Sequence, residues 1–285
     1  MKRITTALAT ISLLVLPVSN ISSEEIMPYE MDDGGGGGNG GQCSPRIVKD
    51  LGLDQPAGII RAGSASPGFS APQQALTGDV DGNGTADLIV TGPAAGVKRY
   101  VAVFFDATLS SLSSRSFSSA DYKILSPKQY PWLGDVVKKH QMQWLAVGDV
   151  NNDQFDDIIF SMPTIYLGRD AQNNELRDDR GEVYVVLGNT RSNLGVVRDL
   201  ATQPADFTFV GADDGDHAGF GLGTGDINAD GRDDIIIGAP QADGPGNAFT
   251  DGGEAYAITS INFGQGSMAL TQSNVNLYLY GEAGE

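Results

Sequence analysis

Short apolar runs recur along this chain, and each one directly follows an acidic stretch. The runs are Leu88-Ile89-Val90, Ile158-Ile159-Phe160 and Ile235-Ile236-Ile237. They are rich in β-branched residues, only a few residues long and soon followed by Gly or Pro, which is typical of buried strands rather than helices. Another apolar residue follows the Gly-Asp pair that opens each acidic stretch. The pattern therefore predicts an all-β chain in which each acidic stretch connects the two strands of a hairpin.

The acidic stretches are three copies of one nine-residue pattern, here called loop 1 (residues 79–87), loop 2 (residues 149–157) and loop 3 (residues 226–234). Side chains with oxygen atoms occupy positions 1, 3, 5 and 9, and position 7 can offer a backbone carbonyl. Ca²⁺ takes six to eight oxygen ligands, which a tight loop can supply from alternate residues. The spacing predicts about three calcium ions, and the predicted ligands are Asp79, Asp81, Asn83, Thr85, Asp87, Asp149, Asn151, Asp153, Phe155, Asp157, Asp226, Asn228, Asp230, Arg232 and Asp234, with Thr85, Phe155 and Arg232 acting through their backbone carbonyls.

Two other interpretations of the loops fit less well. An EF-hand needs a bidentate Glu at position 12, but that position holds Val90, Phe160 and Ile237. Plain acidic turns would place three carboxylates in one hairpin with no cation to offset their repulsion. Position 6 is Gly in loops 1 and 3, where a left-handed backbone suits a sharp turn, but Gln154 in loop 2. Loop 2 is therefore predicted to be the weakest of the three sites.

Short motifs surround loop 3 on both sides. Phe209-Val210-Gly211 and Phe220-Gly221 precede the loop, Gly238-Ala239-Pro240 follows it, and Gly253-Glu254-Ala255-Tyr256 then begins the next strand. With "FG" and "GAP" on the two sides of the loop, the third copy resembles the FG-GAP repeats of the integrin α-subunit β-propeller, a family also found in bacterial secreted proteins. The first two copies depart from both motifs: Ser161-Met162-Pro163 stands where "GAP" would be in the second.

The resemblance covers roughly residues 54–285 and implies one propeller blade per repeat, with Ca²⁺ held in a hairpin of each blade. It predicts an all-β chain with about three and a half blades that belongs to a larger propeller, since propellers typically have 4–8 blades. Tyr278-Leu279-Tyr280-Gly281-Glu282 is interpreted as the opening strand of a further repeat. Residues 168–180, which lengthen the second repeat, are predicted to be a surface loop where a ligand could bind.

The N-terminal region predicts secretion. Residues 1–23 contain Lys2 and Arg3, a twelve-residue apolar segment and a small-residue cleavage site, as in a signal peptide. Twelve residues are too few to span a bilayer, so no membrane insertion is expected after removal of the signal. Residues 24–53 include a Gly-rich tract and are predicted to be a flexible linker, in which the single Cys43 lies. The expected location is secreted or cell-surface, with the periplasm as an alternative.

The net charge and the absence of catalytic motifs reduce the number of functions that fit the sequence. The formal net charge is −18, from 18 basic and 36 acidic residues, and no basic face is visible for nucleic acid. The chain has two histidines, His140 and His217, and neither belongs to a recognisable catalytic motif. An enzyme is therefore not expected, although a propeller hydrolase or lyase remains an alternative.

The sequence thus predicts a calcium-stabilised binding or adhesion module that presents its outer loops to an unidentified protein or glycan. The alternative is an architectural spacer or an accessory domain of a larger surface protein or secreted enzyme. Family membership alone does not assign a ligand.

Overall fold

A computed structural model describes residues 74–95, 98–108, 111–112, 115–127, 144–169, 175–259 and 266–281. The predicted signal peptide (residues 1–23), the linker (residues 24–53) and His140 lie outside these ranges. The described part of the chain is mainly β-structure, arranged as three large sheets and one separate two-stranded sheet.

The first sheet, blade 1, is an antiparallel meander of four strands. Each consecutive pair is hydrogen-bonded, and loop 1 connects the first strand to the second. Its strands are β1 (Ala75–Gly78), β2 (Asp87–Ala95), β3 (Lys98–Phe104) and β4 (Tyr122–Leu125).

Blade 2 repeats this arrangement with two additions. Loop 2 connects its first two strands, a short hairpin is inserted between its second and third strands, and a segment with one helical turn and one extra strand lies between its third and fourth strands. In chain order the elements are β5 (Leu145–Gly148), β6 (Asp157–Met162), β7 (Ile165–Arg169), β8 (Glu175–Asp178), β9 (Glu182–Val186), α1 (Arg191–Leu194), β10 (Val197–Asp199) and β11 (Phe207–Gly211).

Blade 3 has the same four-strand order, and loop 3 connects its first two strands. An extra strand again lies between its third and fourth strands. The elements are β12 (Gly221–Gly225), β13 (Asp234–Ala239), β14 (Glu254–Ile258), β15 (Gly266–Leu270) and β16 (Leu277–Tyr280).

The two extra strands join consecutive blades. β10 leaves blade 2 and pairs in parallel with β4, the outer strand of blade 1. β15 leaves blade 3 and pairs in parallel with β11, the outer strand of blade 2. Each of these two outer edges is therefore completed by a strand from the following blade.

The core lies between the blades rather than within them. One buried cluster joins a face of blade 1, including Ile89, Val103 and Ile124, to the facing side of blade 2, including Ile158 and Phe160. A second cluster joins the opposite face of blade 2 to blade 3, and its members include Ile159, Phe207, Phe209, Ile235 and Tyr256. Neighbouring residues of one strand point to opposite faces of the sheet. Each apolar run therefore contributes side chains to the interfaces on both sides of its blade.

This stacking of antiparallel blades confirms the predicted all-β propeller fold. Two details differ from the sequence predictions. Residues 168–180 are not a plain surface loop, because residues 168–169 and 175–178 belong to the paired strands β7 and β8. Residues 277–280 form the outer strand of blade 3, as Phe209–Gly211 do in blade 2. The sequence repeat therefore begins one strand before the blade.

Candidate metal centres

The carboxylate at position 1 organises the start of each loop. In loop 1, the Oδ1 and Oδ2 atoms of Asp79 accept the backbone N–H groups of Asn83 and Gly84, at 3.0 and 2.7 Å. Asp149 does the same for positions 5 and 6 of loop 2, and Asp226 for those of loop 3. The leading Asp thus folds the loop back so that its later positions approach it.

The side chains at positions 3 and 5 turn into the loop in the same way. Position 3 accepts the backbone N–H of position 5, with distances of 3.2, 3.0 and 2.8 Å in loops 1, 2 and 3. Position 5 accepts the backbone N–H of position 7, which is Thr85, Phe155 or Arg232. Three loops of different sequence therefore share one hydrogen-bond pattern.

The Asp at position 9 is buried under each loop and accepts a hydrogen bond from the start of the loop. Asp87 and Asp157 are fully buried, and Asp234 is 1% exposed. One carboxylate oxygen of each accepts the backbone N–H of position 2, at 2.8 to 2.9 Å. The other oxygen accepts the N–H of Asp106 in loop 1 and of Gly188 in loop 2.

In loop 3 the second oxygen of this residue has no partner among the described residues. Asp234 Oδ1 is buried, and no hydrogen bond from the described part of the chain reaches it. A buried oxygen of this kind costs about 1–3 kcal/mol unless a hydrogen bond or a cation offsets its desolvation. The residues of loop 3 therefore fit a bound cation.

Burial also disfavours the charged form of Asp87 and Asp157. Burial and, to a smaller extent, the neighbouring Asp153 and Asp149 raise the pKa of Asp157 to about 8, although the hydrogen bonds from Gly188 and Val150 lower it. The pKa of Asp87 is raised to about 6, mainly by desolvation. A cation at either site would favour the ionised carboxylate.

Three carboxylates converge in loop 1. Asp79, Asp81 and Asp87 each offer an oxygen atom, and these atoms lie within 4.8 Å of one another. This is the arrangement of oxygen ligands that hard divalent cations take. The structure thus brings together the side chains predicted at positions 1, 3 and 9 of this loop.

The loops depend on a left-handed backbone at two positions, of which the sequence revealed one. Position 6 has φ between 74° and 88° in all three loops, including Gln154. Position 4 is left-handed as well, at Gly82, Asn152 and Ala229. Asn tolerates this conformation better than Ala does, so Ala229 is the more strained of these two non-Gly residues.

An arginine from the neighbouring blade was also missed by sequence reasoning. Arg191, at the start of α1, forms ion pairs with Asp81 of loop 1 and with Asp106, and its guanidinium lies 4.7 Å from the centre of the Phe105 ring. Loop 1 has Asp at position 3, whereas loops 2 and 3 have Asn. Arg191 is 110 residues away from Asp81 in sequence, so no local pattern could have paired them.

Consecutive loops are also hydrogen-bonded to each other. The backbone N–H of Asp156, at position 8 of loop 2, donates to the carbonyl of Asp79 at 2.9 Å, and its carboxylate accepts the Asp79 N–H at 2.6 Å. Asp233 occupies position 8 of loop 3, and its N–H donates to the carbonyl of Asp149 at 3.0 Å. A hydrogen bond between position 8 of one loop and position 1 of the preceding loop is here called a position-8 contact. Loop 1 has Ala86 at this position.

His217, one of the two histidines, is held in a turn. Its backbone is left-handed, with φ of 55°, and its Nδ1 lies 2.5 Å from the carbonyl oxygen of Gly215. Its ring contacts Phe220 edge-on. These contacts give His217 a structural role in the turn.

A comparison with models of protein families matches the segment that contains loop 3. The FG-GAP repeat model matches residues 218–258, which run from the residues preceding β12, through loop 3, to the end of β14. Residues 218–258 therefore match an FG-GAP repeat.

Two curated proteins extend the FG-GAP similarity beyond one repeat. Integrin alpha pat-2 from Caenorhabditis briggsae is 31% identical over 176 residues, and integrin alpha pat-2 from Caenorhabditis elegans is 30% identical over 176 residues. Each alignment covers 58% of this chain but only 12% of the relative. The similarity therefore concerns one region of these integrin α proteins.

No helix among the residues described here is both long and apolar enough to cross a bilayer.

Proposed function

We propose that this chain is a secreted calcium-binding β-propeller module whose loops 1, 2 and 3 each hold one Ca²⁺, and which binds a protein or glycan ligand. The observation that carries the calcium proposal is the common geometry of the loops, in which positions 1, 3 and 5 all turn inward above a buried Asp at position 9. The proposed ligands are the oxygen atoms at positions 1, 3, 5 and 9 and the backbone carbonyl at position 7.

Calcium has a structural role in this proposal. Each loop contributes three Asp ligands, and a divalent cation offsets most of their mutual repulsion. With dissociation constants of about 10⁻⁴ to 10⁻³ M, as in extracellular modules, about 1 mM calcium would stabilise the fold by about 0.4–1.4 kcal/mol per site. Three sites together would contribute a substantial part of the stability of a typical domain.

Calcium titration by isothermal calorimetry tests this assignment. We expect about three sites in the intact chain, and the loss of one site in each of Asp79→Ala, Asp149→Ala and Asp226→Ala. Asp214→Ala, which removes an acid outside the loops, serves as the matched control and should keep all sites. Unchanged stoichiometry in the three loop variants would refute the assignment.

The proposed ligand surface lies at the end of the blades opposite the calcium loops. Loop 2 is at one end of β6, and the β7–β8 hairpin follows the other end. The connection between β13 and β14 is on the same side as this hairpin. Since binding residues are often carried by loops on a rigid scaffold, these segments are the proposed contact residues. The similarity to integrin α proteins supports a binding role over an enzymatic one.

The ligand proposal is tested on an array of extracellular-matrix proteins and glycans, in calcium and in EDTA. A variant in which Asn-Gly replaces residues 167–176 shortens the β7–β8 hairpin to a two-residue turn and leaves Ile165, a buried core residue, in place. We expect calcium-dependent binding that this variant weakens without a change in melting temperature. Binding that is identical in the shortened variant would exclude the hairpin as a contact.

Secretion is tested on the cell and its medium. We expect the mature chain in the medium, with an N-terminus near Glu24, and retention in the cytoplasm when residues 2–18 are deleted. Secretion of the deleted form would contradict the proposed signal peptide.

A further inference from the structure

Of the three loops, only loop 1 has an amide side chain followed by glycine at positions 5 and 6. These residues are Asn83 and Gly84, whereas position 5 is Asp153 in loop 2 and Asp230 in loop 3. The side-chain carbonyl carbon of Asn can be attacked by the backbone nitrogen of the next residue, and an ionised carboxylate resists that attack. Asn is accordingly among the chemically labile residues of proteins. Loop 1 therefore carries a reactive pair at one of its proposed ligand positions.

The surroundings of Gly84 leave its backbone nitrogen accessible. Asn83 and Gly84 are both exposed, and the backbone of Gly84 is left-handed, with φ of 84°. Glycine has no side chain, and even a Cβ built at Gly84 would meet no atom within 4 Å. Neighbouring side chains therefore do not hinder the approach of this nitrogen to Asn83.

A carboxylate lies next to the proton that this reaction must remove. The backbone N–H of Gly84 donates to Asp79 Oδ2 at 2.7 Å, a distance at which a side chain can act as a general base. The backbone N–H of Asn83 donates to the other oxygen of the same carboxylate at 3.0 Å. Asp79 thus holds both residues of the pair and is placed to accept the Gly84 proton.

The side-chain amide of Asn83 is held by two further contacts. Its Oδ1 accepts the backbone N–H of Thr85 at 2.7 Å, which polarises the carbonyl that is attacked. Its Nδ2 donates to Asp106 Oδ1 at 2.8 Å, and the other oxygen of Asp106 is paired with Arg191. The group that reacts and the group that leaves are therefore both ordered in loop 1.

We propose that Asn83 is a self-modification site, at which loop 1 deamidates while it holds no calcium. The Gly84 nitrogen forms a bond to Cγ of Asn83, and Asp79 accepts its proton. The C–N bond of the side-chain amide then breaks, and the proton leaves with the amide nitrogen as ammonia. One water molecule opens the cyclic imide at either carbonyl, which leaves aspartate or isoaspartate at residue 83. The reaction needs no oxidant or reductant.

Calcium would protect this pair. The protection rests on the proposed function, in which Asp79 and Asn83 are both ligands of loop 1. A bound cation would compete with the Gly84 N–H for the Asp79 carboxylate and would fix the Asn83 oxygen. If only the calcium-free loop reacts, about 10 mM calcium slows the reaction about tenfold to a hundredfold at dissociation constants of about 10⁻⁴ to 10⁻³ M.

Either product changes loop 1. A carboxylate at residue 83 cannot donate to Asp106 and would face it with a like charge. Isoaspartate also lengthens the main chain between positions 5 and 6, which shifts the backbone carbonyl of Thr85 relative to Asp79. A period without calcium would therefore leave a permanent covalent change in a proposed calcium site.

Peptide mapping by mass spectrometry tests this proposal on the full chain, stored for weeks in calcium or in EDTA. We expect the peptide that contains Asn83 to deamidate about tenfold to a hundredfold faster in EDTA than in about 10 mM calcium. Asn228 is the matched control, because it lies exposed in loop 3 but precedes Ala229, whose backbone is also left-handed, instead of glycine. Its peptide should change slowly under both conditions.

Two variants separate the chemistry from a loosening of the loop. Gly84→Ala adds a methyl group to the attacking residue and should slow the reaction of Asn83 in EDTA. Asp79→Asn keeps a hydrogen-bond acceptor but removes the proton acceptor, and it should also slow the reaction. If Asp79 only restrained the loop, Asp79→Asn would react faster than the native chain, and this result would overturn the proposal.

Failure of this proposal can be distinguished from failure of the proposed function. Deamidation of Asn83 that is no faster than that of Asn228 in EDTA would overturn the proposal, even if calorimetry finds calcium in loop 1. Equal rates in calcium and in EDTA would also overturn it when calorimetry shows that loop 1 is filled. Calorimetry that finds loop 1 empty would refute the proposed function there, whereas the modification site would still be supported or overturned by the comparison of Asn83 with Asn228.

Discussion

The carboxylate of Asp156 accepts the backbone N–H of Asp79 at 2.6 Å, which joins loop 2 to the first residue of loop 1. Asp79 is itself a proposed calcium ligand, and its own carboxylate accepts two further N–H groups. The contact between blades and the order of loop 1 are therefore connected through one residue.

Removal of this contact should affect both stability and calcium binding. We expect Asp156→Ala to lower the free energy of unfolding by about 1–3 kcal/mol, the usual range for a hydrogen bond to a charged group together with an unpaired donor. Urea unfolding measures this loss, and calorimetry should show weaker calcium binding at loop 1. Asp156→Asn keeps an acceptor atom and should lose less. Equal losses in both variants would contradict a role for the hydrogen bond.

Two glycines at equivalent positions should respond differently to the same substitution. Gly148→Ala would bring a Cβ against the Asp233 carboxylate, whereas Gly225→Ala meets open space. We expect the first variant to lose about 1–3 kcal/mol of stability and the second to change it by about 0.5 kcal/mol or less. Chemical denaturation of the pair is a direct comparison, and equal effects would show that blade 3 does not restrict Gly148.

The buried carboxyl of Asp157 predicts a pH dependence of the stability of the calcium-free chain. The pKa of Asp157 is raised from 3.8 to about 8, so the folded chain holds this proton more tightly than the unfolded chain. The stability of the calcium-free chain should therefore fall as the pH rises from about 4 to about 8. Melting temperatures in EDTA across this range measure the slope, which Asp157→Asn should reduce.

The same protons compete with calcium. Binding at loop 2 should weaken as the pH falls below about 8, because calcium must displace the proton of Asp157. Loop 1 should weaken only below about 6, the pKa of Asp87. Calcium titrations at pH 7 and pH 8.5 should therefore differ at loop 2 and agree at loop 1, and a pH-independent loop 2 would contradict this account.

Arg191 should have opposite effects on the calcium-free and calcium-bound chain. Its ion pairs with Asp81 and Asp106 offset acidic repulsion when no cation is present, but its charge opposes a cation in loop 1. We expect Arg191→Met to lower the melting temperature in EDTA and to tighten calcium binding at loop 1 by about fivefold, equivalent to about 1 kcal/mol. Weaker binding would show instead that Arg191 mainly orders the Asp81 ligand.

The strained loop positions should accept glycine. Gln154→Gly and Ala229→Gly relieve a left-handed backbone, while glycine adds freedom to the unfolded chain. The net gain should be about 1 kcal/mol or less in each variant. Val186→Gly is the contrasting control, because this buried residue lies in an extended strand. A loss of stability in both loop variants would contradict the strain argument.

The features that could be predicted from the sequence are those that depend on residues close together along the chain. The acid spacing of loop 3 and the apolar run Ile235-Ile236-Ile237 each depend on neighbouring residues, so the hairpin and the inward-facing oxygens could be predicted. Position 4 was missed because Ala229 is not a usual residue for a left-handed backbone. Residues 168–180 were interpreted as a loop because their polar composition is typical of turns, yet their strands pair with each other.

Contacts between distant residues could not be read from the sequence. The pairing of Asp156 with Asp79, and of Arg191 with Asp81, depends on how consecutive blades stack. The extra strands β10 and β15 pair with the preceding blade rather than with their own. Only the difference between Ala86 and the Asp residues at position 8 of the other loops gave a local sign of these interfaces.

The most direct measurement is the melting temperature of residues 24–285 across a calcium titration, for the native sequence and for the variant with Asp79, Asp149 and Asp226 all changed to Ala. The account predicts a melting temperature that rises with calcium in the native chain and stays constant in the triple variant. A cooperative transition that does not respond to calcium in the native chain would contradict the proposed calcium-stabilised propeller.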